Sequence, residues 1–147
     1  MAEEVAEIFS KHIVSSKYED LSEKTIKQLK VFLLDTIGVG IAGSTGSKLN
    51  ELKKIAHTWS KGKNCTVLGT WDRYSRDAST LINAYQIHCL EFDCIHEGAV
   101  VHPMAAILSS LLAHCEEINN LGHHTNGKEF LLSLIHISEP TRRTPIS

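Results

Sequence analysis

Apolar positions along this chain recur mostly at intervals of three and four, the period of a helix with one buried face. Val5, Ile8, Phe9, His12 and Ile13 form the first such face. A second helix opens at Ser22, a good N-cap, with Leu21 and Ile26 placed to pack across the cap as a hydrophobic staple. Its stripe runs through Ile26, Leu29, Leu33, Ile37 and Ile41, and Val31, Phe32 and Leu34 widen it. The spacing therefore predicts a helix buried on most sides, ended by the glycine- and serine-rich turn at residues 43–46. A third helix from about Ser47 carries Leu49, Leu52, Ala56 and Trp59 and stops in the polar run at residues 61–64.

Residues 65–70 form a short β-prone run between turn residues, the one strand candidate. Helical spacing resumes with Ala78, Leu81, Tyr85 and His88. After an interruption, Pro103 begins another helix carrying Met104, Ile107, Leu108, Leu111, Cys115 and Ile118. The pattern predicts an all-α helical bundle with at most one short β-hairpin or strand.

Composition adds mostly exclusions. The 147 residues are 42% hydrophobic and 22% charged, enough for one core and too few for two substantial domains. A net charge of −2, without long runs of either sign, offers no phosphate-binding surface, so neither nucleic acid nor a membrane is expected as partner. No apolar run is long enough to span a bilayer, and the start of the chain is acidic, so a cytoplasmic location is expected. The cysteines Cys65, Cys89, Cys94 and Cys115 are scattered and read as reduced thiols.

Residues 38–43 read GVGIAG, which fits the dinucleotide fingerprint G-x-G-x-x-G letter for letter. That fingerprint needs a strand before it and a helix opening within it. Here the glycines close a helix, so close helix packing is expected and a nucleotide site is not.

Chemistry concentrates in residues 83–103, where three histidines and three carboxylates sit between two apolar helices. His102, directly before Pro103, should occupy a helix N-cap, where Ser, Thr, Asp or Asn would cap better. A neutral imidazole beside an anion-attracting helix end suits proton transfer; a histidine that merely caps the helix is the equal alternative. Glu91 and Asp93 alternate around Phe92 and would share a face in an extended segment, where they could tune one another or hold the histidines; solvated carboxylates are the plainer reading. His88 continues the Leu81/Tyr85 stripe and reads as a packed histidine, Cys94 as an inert thiol, and His96 falls between roles. A metal held by His88, Glu91, His96 and His102 matches no established zinc spacing, so no metal is expected.

With these residues in view, the chain resembles the MmgE/PrpD family, whose members read N-G-x-x-x-H-x-L-D-F-D-D-T-H with a histidine-proline pair six residues later. Asn83, His88, Leu90, Phe92, Asp93, His96, Gly98, His102 and Pro103 match in order and spacing. The LLDTIG run at residues 33–38, TVLGT at 66–70 and GKEFL at 127–131 resemble further family segments, so the likeness covers about residues 21–131. The resemblance implies the N-terminal part of a large helical domain, usually dimeric, with a smaller α+β lid elsewhere. It implies lyase or isomerase chemistry on small polycarboxylates: dehydration of 2-methylcitrate, decarboxylation of cis-aconitate or epimerisation of an iminodiacid, without cofactor or metal. The shared step is proton transfer beside a carboxylate.

By position, the family's catalytic aspartate falls on Glu91 and its histidine on His102, with Asp93 in support; its threonine falls on Ile95. His96, Ile95, Asn83 and His88 are the substrate-binding candidates. Glu91, Cys94, Ile95 and Met104 depart from the family pattern, which points to a substrate other than the family's best-known ones. A self-contained helical binding module with a histidine-rich metal site is the second reading.

Residues 132–147 read like an in-frame translation of a transposase adapter, with the apolar stripe lost and two prolines gained. The expected organisation is thus a partial N-terminal helical domain at residues 1–131 and a non-native tail at 132–147. A chain cut there would expose an unfinished helical face and be inactive by itself.

Overall fold

The computed structural model describes residues 4–98 and 100–142, with side chains described as far as residue 137. Six helices and one hairpin follow in order: α1 (Val5–Ser15), α2 (Glu23–Ala42), α3 (Leu49–Trp59), β1 (Cys65–Thr66), β2 (Arg73–Tyr74), α4 (Arg76–His88), α5 (Pro103–Asn120) and α6 (Gly127–Arg142). The all-α expectation holds. The hairpin is antiparallel, with Cys65 opposite Tyr74 and Thr66 opposite Arg73. No single helix among the described residues is long and apolar enough to cross a membrane.

Ser22 caps α2 as expected, accepting a hydrogen bond from the Thr25 N–H at 3.1 Å. The burial of α2 departs from expectation: Val31 is 59% exposed and Leu34 74%, and only Thr36 and Gly40 are buried within the helix. The side of α2 that does meet protein is defined by its small residues. A Cβ on Gly43 would lie 1.9 Å from the Gln86 carbonyl oxygen, and one on Gly40 would lie 2.8 Å from Leu68 Cδ1. The GVGIAG run therefore serves close packing, as its place at a helix end implied, although Gly38 faces open space.

The helix received by those glycines is α4, and its buried face also differs from the sequence reading. Of the stripe read through Ala78, Leu81, Tyr85 and His88, Ala78 is buried and Tyr85 packs half-buried against the core, while Leu81 and His88 are exposed; the buried residues are Ala78, Ser79, Ile82, Asn83, Gln86 and Ile87. Two amides sit inside and bond backbone groups of neighbouring segments, although Gln86 Oε1 is buried without a partner. The Gln86 side-chain N–H donates to the carbonyls of Gly40 (3.1 Å) and Leu68 (2.8 Å). Asn83 accepts from the Leu68 N–H and donates to the Thr66 carbonyl, both at 2.9 Å. A buried amide costs free energy unless it is paired, and here each pairing also ties α4 to a neighbouring segment.

Two apolar clusters flank this seam. Leu49, Ala56, Val67, Ala78 and Ile82 join α3 and the hairpin to α4. Met104, Ile107, Leu108, Leu111 and Leu134 join α5 to α6, with Leu29, Leu33 and Ile37 of α2 packed against them. The stripe read for α5 is thus the observed one. In α6 the stripe continues beyond the point where the sequence reading ended it, since Leu134 and Ile135 are buried and the helix runs to Arg142. Residues 143–147 of the proposed adapter segment lie outside the described residues.

All four cysteines are free, and burial pushes the thiols of Cys65, Cys89 and Cys115 up, which keeps them protonated and poorly nucleophilic.

Gly43→Ala is expected to destabilise the domain by about 3 kcal/mol or more in urea unfolding, because backbone must move to admit the methyl. Gly38→Ala, with no neighbour to meet, is expected to stabilise it by about 0.5–1 kcal/mol. Equal effects from the two would show that the approach of α2 to α4 is not tight. A second expectation concerns pH. His136 of α6 packs edge-on to His12 of α1, with centroids 6.3 Å apart, and its pKa is lowered by burial and then by His12. The stability this neutral imidazole contributes is present above its unfolded pKa of about 6.5 and is lost as pH falls below that. The urea midpoint of a His136→Gln variant should accordingly fall less than the parent's between pH 7.5 and 5.5.

Candidate active site

The last turn of α4 and the first turn of α5 stand side by side, and the loop between them folds back into the gap. It turns at once: the Glu91 N–H bonds to the His88 carbonyl at 2.9 Å, and Glu91 takes a left-handed backbone conformation with φ 55°. The chain reverses there, so Glu91 and Phe92 are exposed and Asp93 is buried. Glu91 and Asp93 do not share a face, contrary to the extended geometry expected, because the segment is a turn. Further on, His96 pairs with Val101 in an isolated antiparallel bridge, its N–H bonding the Val101 carbonyl at 2.9 Å. This bridge closes the loop and delivers the chain to His102, the N-cap of α5, with Pro103 in the first turn as predicted.

The result is a buried carboxylate between two imidazoles. Asp93's side chain is 0% exposed; Oδ1 lies 3.0 Å from His88 Nδ1 and Oδ2 lies 3.2 Å from His102 Nδ1. The rings meet edge to face, with centroids 4.7 Å apart. A carboxylate can only accept, so while this bond stands His88 carries its proton on Nδ1, and the other tautomer would free that nitrogen as a donor to an ion. His102 Nδ1 is buried and close to Asp93 but lacks hydrogen-bond alignment with it. The accessible nitrogen of His102 is therefore Nε2. One side of the cluster is open to solvent, with the His88 side chain 51% exposed and that of His102 32%.

Of the sequence candidates, the structure unites His88, Asp93 and His102. Glu91 and Ile95 stand exposed on the loop, and His96 sits at the bridge that closes it. Asn83 is one turn into the seam below, with both ends of its amide engaged by backbone. The family resemblance put His88 among the substrate-binding candidates, but the residue pattern did not place it beside Asp93. It was assigned to the Leu81/Tyr85 stripe, and only its position as the final residue of α4, five before Asp93, hinted that it leaves the core and faces the loop. The three side chains each offer one ligand atom, all within 4.8 Å of one another, so they are also the group best placed to hold a metal. This set takes Asp93 in place of Glu91 and His96. His102 makes no side-chain bond to the first turn of α5, which leaves that helix end free for an anion.

The family model of the MmgE/PrpD N-terminal domain matches residues 7–139. A cis-aconitate decarboxylase-like protein from Aspergillus oryzae is 27% identical over 126 residues, covering 84% of this chain and 26% of its own length. The cis-aconitate decarboxylase of Homo sapiens is 29% identical over 119 residues, covering 80% of this chain and 24% of its own. That of Mus musculus is 26% identical over 156 residues, covering 99% and 32%. The chain spans about a quarter to a third of the length of these relatives.

Asn83→Ala separates a structural from a substrate-contacting role. It leaves the Leu68 N–H and the Thr66 carbonyl without their partner, so unfolding free energy should drop by about 2 kcal/mol or more. A fully stable variant would return Asn83 to the substrate-binding candidates.

Proposed function

This chain belongs to the MmgE/PrpD family, and on that premise we propose that it supplies the proton-transfer residues of a lyase or isomerase for small polycarboxylates. The observation that carries the reading is Asp93, buried between His88 and His102 where α5 begins.

The chemistry follows from that placement. A substrate carboxylate lies at the uncapped end of α5, where backbone N–H groups and the helix dipole favour a negative charge. The neighbouring carbon then faces His102, whose Nε2 takes its proton and leaves the electron pair delocalised into the carboxylate. Asp93, at 3.2 Å, stabilises the resulting imidazolium. In a dehydration, hydroxide then departs from the adjacent carbon. In a decarboxylation such as the relatives' names describe, no proton is removed first: carbon dioxide departs, its bonding pair stays on the neighbouring carbon, and a protonated His102 delivers a proton to that carbon. In an epimerisation, the proton returns to the opposite face. All three require only proton transfer and charge stabilisation.

The choice of acid rests on the loop. Glu91 and Ile95 stand where the family pattern has an aspartate and a threonine, and both are exposed on the loop. A longer acid and a lost hydroxyl there favour a polycarboxylate different in shape from cis-aconitate. We further propose that turnover needs protein beyond this chain, that the complete enzyme is a homodimer, and that it works in the cytoplasm.

In the enzyme carrying this domain, His102→Gln is expected to lower kcat by about 10²–10⁴-fold with a much smaller effect on KM. Steady-state assays across a panel of di- and tricarboxylates provide the check. A His102→Gln enzyme within threefold of the parent kcat on its best substrate would remove His102 from the proton-transfer role.

A further inference from the structure

We propose that His88, Asp93 and His102 form a binding site for one divalent transition-metal ion of the zinc or cobalt type. The argument starts with spacing. Ligand atoms about 2.0–2.1 Å from a tetrahedral ion stand about 3.3 Å from one another. Asp93 lies 3.0 Å from His88 Nδ1 and 3.2 Å from His102 Nδ1, and the three ligand atoms all fall within 4.8 Å. Two of the three ligand separations are thus already close to those that a tetrahedral ion sets.

Charge and hydrogen bonding point the same way. The side chain of Asp93 is fully buried, and its described ion-pair partners are the two imidazoles alone. A buried carboxylate needs a positive or donating partner, and a dication beside Asp93 would supply one. His102 Nδ1 is buried without a hydrogen-bond partner despite its closeness to Asp93. A nitrogen lone pair directed at an ion is what would satisfy it. Two imidazoles and one carboxylate select zinc, cobalt, nickel or copper over magnesium and calcium, which prefer oxygen cages. The half-exposed His88 leaves the fourth position to water or an incoming carboxylate.

The ligand spacing in sequence, five residues and then nine, belongs to no zinc motif because the ligands come from a helix end, a turn and a helix start. If the proton-transfer reading also holds, the ion is an inhibitor: it withdraws Asp93 from the imidazoles and places positive charge where an imidazolium must form.

The test is binding, read without turnover, so it succeeds or fails separately from the lyase reading. The full chain, stripped with chelator, is titrated with Co2+ by visible absorption and with Zn2+ by calorimetry. One Co2+ per chain, the strong absorption of four-coordinate cobalt, and displacement by Zn2+ are expected. His88→Gln changes a half-exposed residue and is expected to weaken binding at least tenfold with the fold intact by circular dichroism. Asp93→Asn is expected to do the same, and a His123→Gln/His124→Gln control is expected to change nothing. Absence of saturable binding would overturn the proposal. So would stoichiometric binding that survives His88→Gln and Asp93→Asn, which would place the ion on other donors.

Discussion

The domain depends on how closely α2 can approach α4. At Gly43 the two backbones are separated by less than a methyl group allows, and at Gly40 the Leu68 and Ile87 side chains fill the space a Cβ would take. That approach brings the Gly40 carbonyl within reach of Gln86, whose amide also bonds Leu68. Helix, hairpin loop and helix are thereby joined through one side chain. Asn83, one turn earlier, repeats the arrangement with Thr66 and Leu68. The polar groups are expensive to bury, and the bonds they make to neighbouring segments favour one register of α4, although Gln86 Oε1 stays buried without a partner.

Register matters because the site hangs from the end of the same helix. His88 is the last residue of α4 and His102 caps α5, so their separation is set by how those helices pack. The loop between them has only to place Asp93, and it does so with a left-handed turn at Glu91 and the bridge from His96 to Val101. A carboxylate brought into that gap bonds His88 through Nδ1 and lies 3.2 Å from Nδ1 of His102. Proton transfer and metal capture, the two uses proposed for this arrangement, would compete for the same carboxylate.

The apolar surface outside the two clusters follows a different logic. Val31 and Leu34 of α2, Ile55 of α3 and Val14 of α1 are exposed, and Phe92 and Val100 stand out from the loop beside the site. Singly such residues are unremarkable, and here they are spread over the outer faces of three helices and the loop. The family match over residues 7–139 and the quarter to a third of the relatives' length that it covers give those faces a context.

Helical period, the Ser22 cap and the Pro103 start were legible in the sequence because each rests on near neighbours. The α5 stripe, the short hairpin and the packing role of the glycine run followed from the same local rules. The buried face of α4 was not legible: Asn83 and Gln86 look like surface residues until the carbonyls and N–H that satisfy them arrive from positions up to 46 residues away. The extent of α2's exposure, the burial of Leu134 and Ile135 and the parting of Glu91 from Asp93 escaped for related reasons, since each is decided by what lies opposite or by a single backbone turn. The sequence by itself determined that histidines and carboxylates would crowd one connection before a helix N-terminus. Only the tertiary structure decided that Asp93 would join His88 to His102, because a side-chain cluster forms where helices converge, and convergence is a property of packing and not of spacing along the chain.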